Sequence, residues 1–226
     1  ETITCDLATA DGWKPLVAHI DKTGPVQMFV HSASPPRHEK DRIGTVDEAT
    51  FDAMLNTNVR SGFFLGREIA GRMVKARIKG RMLYLTSLHA QSPRNLPHYS
   101  ASKGGMHMVM KELARALGPD GIRVNALAPG AVPGGGAKNI TDAFKSKIPM
   151  RRVGTPDDMA ATAVAMLSDR FMPYVTGTTI SVDGHVVFLA DSRYTSEAHQ
   201  ALFDLHDRSC ASAMRTWKDV VGAAID

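Results

Sequence analysis

The stretch Ser87-Leu88-His89-Ala90-Gln91-Ser92-Pro93-Arg94-Asn95-Leu96-Pro97-His98-Tyr99-Ser100-Ala101-Ser102-Lys103 decides how this chain is read. An apolar, strand-like run at 82–86 precedes it and a long helical pattern at 100–117 follows it, so it joins a strand to a helix. Near its end a phenol, Tyr99, and an ammonium, Lys103, stand four residues apart. On a helix such positions share a face. A cation beside a phenol favours the phenolate, and a tyrosine so placed can exchange a proton near neutral pH, which a free one does poorly. Ser87 closes the strand, where its hydroxyl can meet a substrate oxygen. A Tyr-x-x-x-Lys spacing alone is common surface decoration, so its surroundings carry the decision.

Outward from this segment, short β-rich runs alternate with helical patterns. The reading gives a strand end at 3–6, a helix at 11–22 stopped by Thr23-Gly24-Pro25, a buried strand at 26–30 and a polar loop at 34–44. Thr45 then serves as an N-cap, with Glu48 completing a capping box. Phe51, Met54, Leu55 and Val59 follow at helical spacing, in a helix running to about residue 77. A strand at 123–128 and a Pro/Gly-rich loop at 129–136 come next. Thr155-Pro156-Asp157-Asp158 starts a helix with a hydroxyl cap, Pro at N1 and acids in the first turn. That helix reaches Leu167, and the last strand is 178–182 before the Asp183-Gly184 turn. Residues 195–206 and 211–224 read as two further amphipathic helices. This alternation predicts an α/β fold with a doubly wound, parallel, Rossmann-like sheet over residues 1–184 and a helical extension over 185–226.

The 226 residues suit one domain with a substantial core. At 43% hydrophobic and 22% charged residues, a disordered chain is excluded, and no apolar run approaches the ~20 residues of a membrane helix. No basic segment followed by an apolar one marks a signal peptide. Cys5 and Cys210 make no disulfide framework, which predicts a reducing, cytoplasmic setting. The net charge of +4 comes from scattered Lys and Arg without interleaved aromatics, so neither nucleic acid nor membrane is an expected partner. Nine histidines and two cysteines show no zinc-ligand spacing, so no metal is expected. The absence of a Gly-x-Ser-x-Gly elbow disfavours a serine hydrolase.

Several blocks, in order, resemble the short-chain dehydrogenase/reductase family. Leu85-Thr86-Ser87 is similar to the strand that ends in its catalytic serine, and Tyr99-Ser100-Ala101-Ser102-Lys103-Gly104-Gly105 to its signature. Asn58-Val59-Arg60-Ser61-Gly62-Phe63-Phe64 resembles the helix with its structural asparagine. Gly121 through Gly130, Arg152 through Asp158, and Thr176 through Gly184 resemble its later segments. The resemblance implies an NAD(P)-dependent oxidoreductase that moves a hydride between a nicotinamide cofactor and a carbonyl or alcohol. In it Tyr99 is general acid or base, Lys103 favours its phenolate and holds the nicotinamide ribose, and Ser87 orients the substrate oxygen. Asn58 bends its helix and holds a water that links Lys103 to solvent. The cofactor brings the hydride, and the protein supplies placement and electrostatics.

For the cofactor, the resemblance points to Asp6 and Leu7 at the adenine, Ala33 and Ser34 after the second predicted strand, and Pro129, Gly130 and Val132 beside the nicotinamide, with Tyr99 and Lys103. NAD and NADP are not distinguished. His31-Ser32 stands where the family usually carries two asparagines, and His31 reads as a strand-end hydrogen-bonding group. Gly134 replaces a common threonine, and the glycine run at 134–136 reads as a substrate lid. No Gly-x-x-x-Gly-x-Gly precedes Asp6, and two βα units, on the order of fifty residues, read as missing from the start. The expectation is that this exact chain has little activity, with either a gap in the sheet or direct pairing of 2–6 with 26–30.

Met106, Met110, Leu113 and Leu117 line one face of the 100–117 helix, as core packing does. The equivalent helix in the family also lines an oligomer interface, implying a homodimer or homotetramer. Expected substrates are 3-oxoacyl, sugar, steroid or polyol compounds, selected by residues 88–98, 131–150 and the tail. The competing reading is a non-catalytic dinucleotide-binding relative, against which the joint presence of Ser87, Tyr99 and Lys103 speaks.

Overall fold

The computed structural model describes residues 1–38, 40–92, 95–133 and 141–185. Both tail helices expected from the sequence and most of the glycine lid lie outside them. Four parallel strands, β1 (Met28–His31), β2 (Arg81–Leu85), β3 (Arg123–Pro129) and β4 (Thr179–Val182), pair in the order β1-β2-β3-β4. Leu83 pairs with Val30 on one side and Asn125 on the other, which fixes the register at the sheet centre.

Side chains alternate between the two faces of a strand, and the helices divide accordingly. Met82 and Tyr84 of β2, with Val124 and Ala126 of β3, meet helices α3 (Ser61–Lys75) and α4 (Pro97–Leu117) through Ile69, Met73, Met106, Met110 and Leu113. Leu83 and Leu127 point the other way, onto Met166 of helix α6 (Pro156–Leu167). Helices cover both faces, so the sheet is doubly wound, as the alternation predicts. Helix α1 (Lys14–Thr23) rests on α3, where Arg72 pairs with Asp21 at 2.7 Å.

Several boundaries differ from the sequence reading for identifiable reasons. Residues 3–6 form no strand: Ile3 and Cys5 are half-buried in alternation, but the Asp6 carbonyl accepts from Thr9 N–H and the chain turns away. Neither expected outcome, a central gap or a 2–6 ladder, occurs. β1 is instead a sheet margin, with Met28 and Val30 about half exposed. Helix α2 (Glu48–Leu55) is capped by Asp47, whose carboxylate accepts from Thr50 N–H at 2.7 Å, and not by Thr45, whose hydroxyl accepts from Arg42 N–H. An aspartate adjoining the first turn takes the orphan N–H ahead of a threonine two residues further out. The capping box at Thr155 and Asp158 forms as expected. Helix α4 starts at Pro97, three residues before the predicted start, because Pro fits the first turn. A short helix, α5 (Asp142–Lys145), lies within the 131–150 segment expected to select substrate and is capped by Thr141.

Gly66 lets α3 approach the sheet. A methyl group there would overlap the Tyr84 hydroxyl, which donates to Gly62 O at 3.0 Å in the fully buried core. Tyr84 is rigid, so Gly66→Ala should destabilise the chain by about 1–3 kcal/mol. This is measurable by urea denaturation, with the alanine's helix propensity offsetting only a fraction.

Candidate active site

In an open parallel sheet, ligands bind outside the carboxyl ends of the strands. Here those ends bring His31, Ser87, Gly130 and Asp183 to one side of the molecule. Ser87 leaves β2 in extended conformation and caps the turn at Leu88–Ala90, its hydroxyl oxygen accepting from His89 N–H at 3.3 Å.

Tyr99 and Lys103 lie one turn apart in α4, both largely buried. The Lys103 ammonium donates to Leu85 O at 2.8 Å and sits 5.5 Å from the centre of the Tyr99 ring. That carbonyl ends the strand two residues before Ser87, so one buried cation ties the signature helix to the strand bearing the serine. Burial and the nearby Arg37 push the Lys103 ammonium down to about 8. Asn58 is also fully buried. Its amide donates to Ser102 Oγ at 2.8 Å, and Ser102 donates to Tyr99 O at 2.8 Å, so Asn58 braces the helix turn between Tyr99 and Lys103. Asn58 Oδ1 has no protein partner.

The helix expected to run unbroken to about residue 77 contains one π-turn at Asn56–Arg60, where Ser61 N–H reaches back to Asn56 O. Such turns recur at functional sites, and this one carries Asn58. The bend attributed to Asn58 thus has a specific form.

His31 departs from the asparagine expected there and replaces part of its bracing. Ser61 Oγ donates to Thr57 O at 2.6 Å and so accepts from His31 Nε2–H at 3.0 Å, which leaves Nδ1 as a bare, buried acceptor. The ring stacks on Tyr84. Burial first, then the Lys103 charge, push the His31 imidazole down to about 4. The folded state penalises protonation, so the stability from neutral His31 is complete above ~6.5 and is lost as pH falls toward 4. Relative to His31→Asn, the wild type should lose up to about 3 kcal/mol between those pH values; parallel denaturant melts across that range would show it as diverging midpoints.

The residues expected at the cofactor divide. Gly130 is required at its position, because a Cβ there would overlap Asp183 at the end of β4, and its N–H donates to Val182 O at 3.0 Å. Val132 is half-buried beside Gly154, whose N–H donates to Ala131 O. Pro129 and Ala33 are half-buried and Ser34 is exposed. Asp6 is exposed and Leu7 half-buried, and Asp6 Oδ1 accepts from Ala8 N–H within its own turn. Among the described residues, no hydrogen bond, ion pair or ring contact joins Asp6 or Leu7 to the Tyr99 cluster. The residues present fit the nicotinamide end of a dinucleotide: a buried ammonium with one N–H on a carbonyl and another near the Met106 sulfur, beside a phenol at the strand ends.

Sequence reasoning passed over three neighbours. The Arg37 guanidinium lies 4.6 Å from the centre of the Tyr99 ring, and His89 meets the same ring edge-on at 4.9 Å. His98 is fully buried, with Nε2 3.4 Å from Asp41 Oδ2. No periodicity marks Arg37, because it comes from an irregular loop. His98 and His89 flank the signature and were legible only as part of that segment.

A parallel doubly wound sheet with Tyr99 and Lys103 one turn apart, Ser87 past a strand end and Asn58 in a π-turn fits a nicotinamide-dependent oxidoreductase. The family model described as enoyl-(acyl carrier protein) reductase matches residues 1–185. The chain is 31% identical over 191 residues to the 3-oxoacyl-(acyl-carrier-protein) reductase FabG of Rickettsia bellii, covering 82% of this chain and 76% of that one. It is 40% identical over 141 residues to glucose 1-dehydrogenase 2 of Bacillus subtilis, covering 58% and 53%. The acetoin dehydrogenase YohF from Salmonella typhimurium superposes with a TM-score of 0.74 at 27% identity, over 86% of this chain and 78% of that one. The chain belongs to the short-chain dehydrogenase/reductase family of NAD(P)-dependent oxidoreductases.

Proposed function

We propose that Ser87, Tyr99, Lys103 and Asn58 form the catalytic centre for interconversion of a carbonyl compound and its alcohol. The observation that carries this reading is the buried Lys103 ammonium, held on Leu85 O at 2.8 Å and one helical turn from Tyr99. The cofactor supplies the hydride when bound. In the reducing direction Tyr99 Oη gives its proton to the carbonyl oxygen, and in the oxidising direction it takes the proton from the alcohol. The Lys103 charge favours the resulting phenolate, and Ser87 Oγ hydrogen-bonds the same oxygen, holding the carbonyl toward Tyr99. Asn58 fixes the turn that sets the Tyr99–Lys103 spacing, and its free Oδ1 can hold a water on the path from Lys103. Ala33, Pro129, Gly130 and Val132 line the strand ends where the nicotinamide would lie, with Ser34 beyond them; Asp6 and Leu7 remain candidates for its adenine end.

Substrates of the 3-oxoacyl or sugar kind accord with the names of two relatives, and polyols and steroids complete the range to be tried. The test is oxidation of NADPH and NADH by a panel of such carbonyl compounds, and reduction of both cofactors by the matching alcohols. Turnover with one class supports the assignment; cofactor binding without turnover of any class would overturn it. Phe63 on α3 and Met108 on α4 are exposed, which supports a homo-oligomer. Light scattering should give a mass at least twice that of one chain.

A further inference from the structure

The 32–46 loop is pinned over the start of α4 at three points. His98 Nε2 meets Asp41 Oδ2 at 3.4 Å, Arg42 donates to Asn95 O at 3.3 Å, and the Arg37 guanidinium covers the Tyr99 ring at 4.6 Å. The Arg42 hydrogen bond ties the loop that carries Arg37 to the residues just before α4. The Arg37 Nε is buried without a hydrogen-bond partner among the described residues. Among the described residues no carboxylate lies within ion-pair distance of Arg37 or of Lys103, and Asp41 is turned to His98 and to His38 N–H. Two cations therefore flank the phenol with no carboxylate between them among the described residues.

Lys103 is buried and Arg37 partly so, and the second charge adds to the cost of burying the first. A guanidinium with an unused fork is matched by a planar carboxylate, which accepts two parallel N–H donors. Its place on the ring of the proton-transfer residue puts such a carboxylate within a few bonds of the reacting carbon. Arg37 is carried to Tyr99 by the loop after β1, which also meets Asn95 just before α4.

We propose that Arg37 is the receptor for a carboxylate on the substrate, so that the preferred substrates are oxo acids and the corresponding hydroxy acids. This rests on the assignment of Tyr99 as the proton-transfer residue, and it narrows that assignment to a chemical class. The carbonyl oxygen is directed to Tyr99 and Ser87 while the carboxylate pairs with Arg37, so the fork also fixes which face of the carbonyl meets the hydride.

The test compares 2-, 3- and 4-oxo acids with their methyl esters, which keep the ketone and remove the charge. For at least one chain length the acid should exceed its ester in kcat/KM by on the order of 10- to 100-fold, the range of a charge-assisted hydrogen bond. Arg37→Met should collapse that ratio toward one, and Arg37→Lys, which keeps the charge without the fork, should restore part of it. A ratio near one across the wild-type panel, or a ratio unmoved by Arg37→Met, overturns the proposal while leaving the oxidoreductase reading intact. A loss of NADPH or NADH affinity in Arg37→Met with the acid/ester ratio unchanged also overturns it, by giving Arg37 to the cofactor. If cofactor binds but no carbonyl compound is turned over, the oxidoreductase reading fails, and calorimetric titration of the oxo acids with oxidised cofactor present judges Arg37 separately. Acid binding that is lost in Arg37→Met supports the receptor, and no acid binding to the wild type overturns it.

Discussion

Tyr99→Phe should lower turnover by about 10²- to 10⁴-fold, the contribution of a positioned proton-transfer group. The substitution deletes one oxygen and leaves the ring. The ring's neighbours, His89 at 4.9 Å, Arg37 at 4.6 Å and the Lys103 ammonium at 5.5 Å, all meet carbon atoms of the aromatic system that remain. Ser102 donates to the Tyr99 carbonyl, a main-chain group the mutation does not touch. Fold and thermal midpoint should therefore hold while kcat falls, and fluorescence titration should find cofactor affinity within a few-fold of wild type. Residual activity within ten-fold of wild type would mean that some other group moves the proton. That outcome would remove Tyr99 from the mechanism without touching the fold.

Lys103→Met should do two opposite things. Turnover should fall by orders of magnitude, because the phenolate loses its counter-charge. Stability near neutral pH should rise. The folded chain holds this ammonium down at about 8 against an ordinary 10.5, chiefly through burial, so the charged form is penalised on folding. The penalty is fully present below about 8 and is relieved as pH rises from there through 10.5. Its size is of order 3 kcal/mol. The methionine forfeits the bond to Leu85 O and leaves that carbonyl unpaired, which offsets part of the gain. A net stabilisation of about 1–2 kcal/mol at pH 7 is expected, vanishing by pH 10. Denaturant midpoints at the two pH values, alongside kcat, measure both effects. A mutant less stable than wild type at pH 7 would show that the carbonyl bond outweighs the buried charge.

Much of this was legible before any coordinates. The strands at 82–86, 123–128 and 178–182 each appear within a residue or two of their predicted limits, because buried parallel strands are short apolar runs with sharp ends. The Thr155 cap and the Tyr99–Lys103 turn were legible because hydrogen bonds local in sequence define them. The segment 3–6 misled because alternation indicates a side to bury and not a neighbour to pair with. Asp47 was passed over in favour of Thr45 because both satisfy the cap chemistry and only backbone geometry separates them. The π-turn has no composition of its own: Asn56-Thr57-Asn58-Val59-Arg60 reads as ordinary helix, and the extra residue is revealed only by where Ser61 N–H points. Arg37 escaped because its position over Tyr99 depends on contacts across tens of residues, such as that from Arg42 to Asn95.

That one surplus residue also sets the phase of everything after it. Each residue advances a helix by about 100°, so the register at 56–60 decides which way Ser61, Gly62, Gly66 and Ile69 look. In the observed phase the two glycines receive Tyr84 and Ser61 receives His31. A chain one residue shorter here would regain a regular helix and turn bulkier neighbours toward the sheet, taking Asn58 out of step with Ser102. The length of this helix is thus constrained to the single residue, independently of which amino acids fill it, and insertions or deletions elsewhere in α2 or α3 would need to be matched in whole turns.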